Sequence, residues 1–248
     1  MDKPLTLVEH LDELRKRIII CLVVLGITTA ASFPFASHIL KVIKIPAAGV
    51  ITRLVFFSPQ EGFLIYMRIA FLCAWVVSLP VILYQLWLFI SPAIEKRLKR
   101  YSAYFILFCF VAFILGGLFA YFILIPPALR FLLSFAKGEL QPVISANRYI
   151  SFTTGLILGC GLVFQMPVLS FILAKLRIIN SRILRKKYKY AVLIIFILAA
   201  IITPTSDIFN MLILALPMLC LYEVSIWISH LARPRQKNTL RTPSGDIQ

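Results

Sequence analysis

LPVILYQLWLFISPAIEKRLKR, residues 79–100, decides the fold. It lies in an apolar run that carries Pro80, a helix-kinking residue. It passes through an aromatic end, Tyr84, Trp87 and Phe89, and then a Ser91-Pro92 break. Five charges follow within six residues: Glu95, Lys96, Arg97, Lys99 and Arg100. Trp and Tyr settle at membrane–water boundaries, and short loops rich in Lys and Arg stay on the cytoplasmic side. The stretch therefore reads as a transmembrane helix leaving the bilayer into the cytoplasm. Its single acid stands beside four bases.

The rest of the composition agrees. The chain has 248 residues, is 60% hydrophobic and 15% charged, and has a mean hydropathy of +0.92. A soluble domain averages about 25% charged residues, so this is an integral membrane protein with no room for a second, soluble domain. The net charge of +16 raises the question of nucleic acid. The bases sit between apolar runs, however, which indicates topology and attraction to anionic lipid instead. Cys21, Cys73, Cys109, Cys160 and Cys220 all lie in apolar runs without CxxC or Cys/His spacing, and read as small core residues. The first 17 residues carry eight charges, so no cleavable signal is expected before the first apolar run.

Working outward, residues 6–17 (TLVEHLDELRKR) read as a short amphipathic helix on the membrane surface. Thr6 and Glu9 fit a capping box, and Leu7, Leu11, Leu14 and Ile18 form one apolar stripe. The expected spans are about 18–37, 69–94, 101–129, 149–174, 190–203 and 208–229. Residues 38–68 and 130–148 form the loops on the far side. Gly116-Gly117 allows close helix approach, Pro126-Pro127 is expected to end the third span, and Pro167 to kink the fourth. The fifth span offers only 13 apolar residues before Thr203-Pro204, and the hairpin it forms with the sixth reads as short. Residues 232–248, with Pro234, Pro243 and Gly245, read as a disordered cytoplasmic tail.

Charge sorting orients the chain. Of the 26 bases, 19 fall in 1–17, 95–100, 175–189 and 231–248, and seven in the two opposite loops. Both termini are therefore expected in the cytoplasm. The fold class is all-α, with one six-helix domain over 1–231.

The phrases HLDELRKR (10–17), SPQEGF (58–63), PVILYQLWLF–SP (80–92), FxxGGLFAYF (113–122), YISF (149–152), GLVFQMPV (161–168), ITP–D (202–207) and LPMLCLYEVSI (216–226) occur in that order. Together they resemble TatC, the large subunit of the twin-arginine protein translocase, from about residue 6 to 230. The resemblance implies six helices in a concave, glove-like arrangement, with both termini cytoplasmic and short fifth and sixth helices. It also implies a bacterial plasma membrane location and the proton-motive force as energy source. No cofactor is implied. The partners implied are twin-arginine signal peptides of folded cargo, TatA/TatB-type single-span proteins, further copies of the chain, and membrane lipid.

The resemblance also assigns residues. Glu13 aligns with the glutamate of the HLxELR motif in the signal-peptide site, and Arg15 with another residue of that motif. Taken alone, Glu13 reads first as a surface acid paired with Arg17 at i+4, and the resemblance reverses that order. As a binding group, its carboxylate would take a guanidinium in a bidentate pair. The family places a second recognition glutamate where this chain has Leu98. Glu95 lies three residues earlier on the same helix face, and it reads equally as an ordinary acid near a helix N-terminus. Phe89 belongs to the same expected site. Gln165 stands where the family often has Glu. An amide cannot titrate, so proton relay through this position is excluded, and a helix–helix hydrogen bond is the alternative role. Gln85 is a second intramembrane amide. Pro46 matches a position linked to assembly with neighbouring subunits, and Asp207 lies in the tight turn between the last two spans.

His10, His38 and His230 are far apart in sequence, and no GxSxG, Walker loop, HExxH or CxxC is present. The sequence therefore points to a binding and organising subunit, not an enzyme. The rival reading is a secondary transporter with a midplane polar site near Gln165 and Gln85. The inverted repeats typical of many such transporters are not visible.

Overall fold

The computed structural model describes residues 7–48, 51, 54–90, 102–134, 143–175, 178–203 and 208–231. Five helical stretches in it are long and apolar enough to cross a membrane, and a sixth, Tyr188–Ile202, is shorter.

The first span is longer than its hydrophobic run. α1 (Leu7–Ser32) is one continuous helix of 26 residues. The amphipathic segment expected as a separate surface helix is thus the first turns of the span itself. No Gly or Pro falls between Leu7 and Leu25, so nothing interrupts the helix where the amphipathic segment meets the apolar run. α1 packs along α3 (Pro59–Ile90), and none of its side chains from Val8 to Ser32 is buried. Val8, Leu11, Ile18, Leu22 and Ile27 are exposed, which suits a surface facing lipid tails.

The loop expected at 38–68 is largely helical. A 3-10 turn (Phe33–Phe35) leads into α2 (Ala36–Lys44), and a second 3-10 turn spans Ile45–Ala47. α2 is strongly amphipathic and buries Ala36 and Ile43. α3 begins at Pro59, ten residues before the expected start at Ile69, and runs for 32 residues. That is roughly 48 Å at 1.5 Å per residue, longer than the hydrocarbon core. Pro80 sits inside it without ending it.

The third span corrects a second expectation. α4 (Ser102–Phe119) runs through a π-helical stretch, Ala120–Leu124, into α5 (Ile125–Ser134). Pro126-Pro127 therefore does not end the helix. Both prolines fall in the first turn of α5, where a missing N–H is tolerated, and the π stretch absorbs the change of register.

One short pair departs from the all-α expectation. β1 (Leu54–Val55) and β2 (Ile144–Ser145) pair in parallel, Leu54 against Ile144 and Val55 against Ser145. The pair ties together the two loops that charge sorting put on one side.

The fourth span is broken. α6 (Ala146–Val163) and α7 (Met166–Lys175) meet at a turn over Phe164 and Gln165. Pro167 lies in the first turn of α7, so the kink is where the sequence put it. α8 (Ser181–Lys186) follows, then α9 (Tyr188–Ile202) and α10 (Ile208–Leu231). α9 has 15 residues and is short, as expected. α10 has 24, so the shortness falls on the fifth span alone.

The main core lies among α2, α3, α5, α6, α9 and α10, with Ile69, Leu124, Ile150, Leu156, Met218 and Ile226 fully buried. A smaller cluster joins α3, α4 and α7 through Leu79, Leu83, Cys109, Phe113 and Val168. Close approach of α4 and α6 depends on glycine. A Cβ on Gly116 would stand 2.6 Å from the Cys160 carbonyl oxygen, and one on Gly161 would stand 2.6 Å from the Phe113 ring.

Candidate functional site

α1 and the C-terminal half of α3 bring five sequence-separated side chains to one end of the bundle. On α1, Glu13 and Arg17 are one helical turn apart and form an ion pair, with Arg17 Nε donating to Glu13 Oε1 at 3.1 Å. Arg17 Nη2 also donates to the same oxygen. Across the interface, Arg17 Nη1 donates to Gln85 Oε1 at 3.2 Å. One turn further along α3, Phe89 stacks on His10 with ring centroids 4.4 Å apart and planes 19° from parallel. Leu11, next to His10 in the sequence, is exposed.

The two ends of the Glu13–Arg17 pair are screened from water. Their side chains are 26% and 18% exposed. Asp12, by contrast, is half exposed and pairs with Arg15 at 3.1 Å and Lys16 at 3.8 Å. The helix thus separates two acids with adjacent numbers into different settings. Asp12 faces solvent among exposed bases, where such pairs contribute little. Glu13 faces α3, holding a guanidinium in a partly dry notch where charge–charge contacts are stronger. Chemically, the notch is a carboxylate built to grip a guanidinium, with an aromatic stack on one flank and an amide on the other.

The expected site residues fall into three groups. Glu13 and Phe89 come together at this end, and Arg15 sits on the solvent side of the same helix. Glu95, Leu98 and Asp207 lie outside the described residues. Gln85 belongs with Arg17, and Gln165 is engaged elsewhere, its Nε2 donating from the α6–α7 turn to the Cys109 carbonyl on α4 at 2.9 Å. Each amide is committed to its own partner, which leaves little for a common midplane solute site. Pro46 is half-buried in the 3-10 turn Ile45–Ala47, just beyond α2. That segment is anchored by Tyr149 and Tyr121, whose hydroxyls donate to the Ile43 and Val42 carbonyls at 2.6 and 2.7 Å.

Sequence reasoning missed the links from Arg17 to Gln85 and from His10 to Phe89. The visible trace is a shared spacing: Gln85 and Phe89, like Glu13 and Arg17, are four residues apart. It also missed Arg68, whose Nη1 donates to Asn147 Oδ1 at 2.6 Å and to the Ser151 hydroxyl. Among the described residues, no group of three or more His, Cys, Asp or Glu side chains is placed to hold a metal ion.

Comparison with known proteins follows the same outline. Residues 9–217 match the family model described as TatC, Sec-independent protein translocase protein. A Sec-independent protein translocase protein TatC from Carboxydothermus hydrogenoformans is 37% identical, over 95% of this chain and 97% of that one. One from Aquifex aeolicus is 37% identical, over 94% of this chain and 98% of its own length. A crystal structure of a twin-arginine translocase receptor, TatC, superposes with a TM-score of 0.82 at 37% identity, covering 90% of this chain and 99% of that one.

Proposed function

Because this chain belongs to the TatC family of Sec-independent protein translocase proteins, we propose that it receives the twin-arginine signal peptides of folded proteins at its cytoplasmic face. It then organises an export channel with TatA/TatB-type subunits and further copies of itself. The proton-motive force drives transport, and the chain sits in the bacterial plasma membrane with both termini inside. The coarse role, a multi-span protein translocase, follows from the family. The finer reading rests on one observation: Glu13 is a partly buried carboxylate already shaped around a guanidinium.

Arginine suits this notch better than lysine. A guanidinium keeps its charge and offers a planar fork of donors, whereas an ammonium is a compact, strongly hydrated point charge. Phe89, stacked on His10, supplies an apolar flank beside the carboxylate. The excess of bases over acids on the expected inner side accounts for the orientation and for contact with anionic lipid. Pro46 and Asp207 belong, in this reading, to contacts with neighbouring subunits on the outer side.

Site-specific photo-crosslinking tests the reading. A crosslinker at Phe89 or Leu98 is expected to capture a signal peptide with an Arg-Arg pair and to lose most of the adduct with Lys-Lys. Equal capture of both peptides, or of neither, would remove the signal-peptide role from this face.

A further inference from the structure

An open cavity of about 700 Å³ lies where α8 meets the end of α10, lined by Arg182, Arg185, Ile226, Trp227, His230 and Leu231 together with Ser181. Its floor is rigidly built. Asn180 caps α8, its Oδ1 accepting from the Ile183 N–H at 3.0 Å. Ser181 is buried. The Tyr222 hydroxyl donates to the Leu184 carbonyl at 3.0 Å and pins α8 onto α10. Arg182 and Arg185, three residues apart, share a face of that short helix, and both are exposed.

Charge and surface chemistry select the occupant. Among the described residues, neither arginine makes an ion pair. Residues 175–189 contain seven bases and no acid. The acid on α10, Glu223, lies about one turn before Ile226 and does not line the cavity. The wall opposite the guanidiniums is apolar: Trp227 is 68% exposed and Leu231 81%. A free phosphate would satisfy the guanidiniums and leave that wall bare. A phospholipid satisfies both, at the end of a membrane span where lipid is abundant and where Trp settles at headgroup depth.

We propose that this cavity binds one anionic phospholipid. Arg182 and Arg185 hold the phosphate in charge-assisted hydrogen bonds, with His230 at the rim. The first part of an acyl chain lies along Ile226, Trp227 and Leu231. The assignment is independent of the Glu13 site, which lies on α1 and α3.

Native mass spectrometry of the purified full chain tests it, with phosphatidylglycerol or phosphatidylcholine of matched acyl chains as probe. The wild type is expected to retain one phosphatidylglycerol in clear preference to phosphatidylcholine. Arg182→Gln with Arg185→Gln is expected to weaken phosphatidylglycerol retention about ten- to a hundredfold. Trp227→Ala, with both arginines kept, is expected to weaken retention of both lipids. Lys186→Gln with Lys189→Gln removes the same charge nearby and is expected to change neither. Equal losses in the two double variants would show diffuse attraction only and overturn the proposal, as would unchanged retention in the arginine variant. Displacement of the lipid by millimolar inorganic phosphate would reduce the cavity to an anion site. Displacement by a soluble acidic peptide would make it a protein-docking site. Either result overturns the lipid assignment.

Discussion

Arg17 is held by two partners at once: its Nε donates to Glu13 Oε1 at 3.1 Å, and its Nη1 to Gln85 Oε1 at 3.2 Å on the neighbouring helix. If Glu13 receives an arginine from a signal peptide, Arg17 already occupies the acceptor. The incoming guanidinium must share or displace it, and Gln85 offers the displaced group a second acceptor. Arg17→Gln is therefore expected to tighten Arg-Arg peptide binding about two- to fivefold, the range of a partly exposed helical ion pair. Gln85→Leu is expected to weaken it. Fluorescence anisotropy with a labelled peptide measures both. Weaker binding in Arg17→Gln would instead make Arg17 a support that orients Glu13.

The α4–α6 contact is set by one hydrogen atom. A Cβ on Gly116 would lie 2.6 Å from a backbone oxygen, which cannot swing aside as a side chain end could. Gly116→Ala is expected to lower stability by about 1–3 kcal/mol, the usual range for overpacking. At Gly117, a Cβ would meet Ile157 Cγ2 at 3.4 Å, an ordinary contact. Gly117→Ala is expected to be near neutral. Thermal melts of detergent-solubilised protein, followed by size-exclusion chromatography, separate the two.

Gln165 bonds to a backbone carbonyl, Cys109 O, across a helix interface. Gln165→Leu removes that bond, which in membrane proteins contributes about 0.6–2 kcal/mol. Its melting temperature is expected to fall, with transport reduced only as far as the protein fails to accumulate. A variant that accumulates fully yet does not transport would give Gln165 a role with peptide or partner.

Much of this was legible in the chain. The spans were marked by hydropathy, and five helical stretches are long and apolar enough to cross a membrane. The kink at Pro167 was marked by a residue that cannot continue the hydrogen-bond ladder. Helix continuity was not. Thr6 and Glu9 mark a helix start, and α1 does begin at Leu7, yet it runs unbroken past Arg17 because no residue there resists it. Pro126-Pro127 imitates a helix end, but the π stretch before it resets the register. The site was half legible. Glu13 and Phe89 could be named from motif and aromaticity. The partnership of Arg17 with Gln85 depends on how α1 lies against α3, which helical spacing within one segment does not encode.

Topology gives an independent check. The uneven distribution of the 26 bases predicts both termini on one side. A reporter fused after Gln248 is expected to read cytoplasmic, and one inserted within residues 137–142 to read external. Two reporters on the same side would contradict the six-span arrangement.

The central claim is that Glu13 grips an arginine of the signal peptide. The direct measurement is the affinity of the purified chain for Arg-Arg and Lys-Lys versions of one signal peptide, in wild type and Glu13→Gln. Glu95→Gln and Glu95→Gln with Leu98→Glu serve as companions, since Glu95 lies three residues before Leu98, the position where the resemblance places a second glutamate. A charge-assisted bond contributes roughly 1.5–3 kcal/mol, and partial exposure favours the low end, near tenfold. Glu13→Gln is expected to lose about tenfold in Arg-Arg affinity and most of its preference over Lys-Lys. Glu95→Gln is expected to weaken binding, with partial recovery on adding Leu98→Glu. Wild-type affinity and wild-type preference in Glu13→Gln would contradict the account.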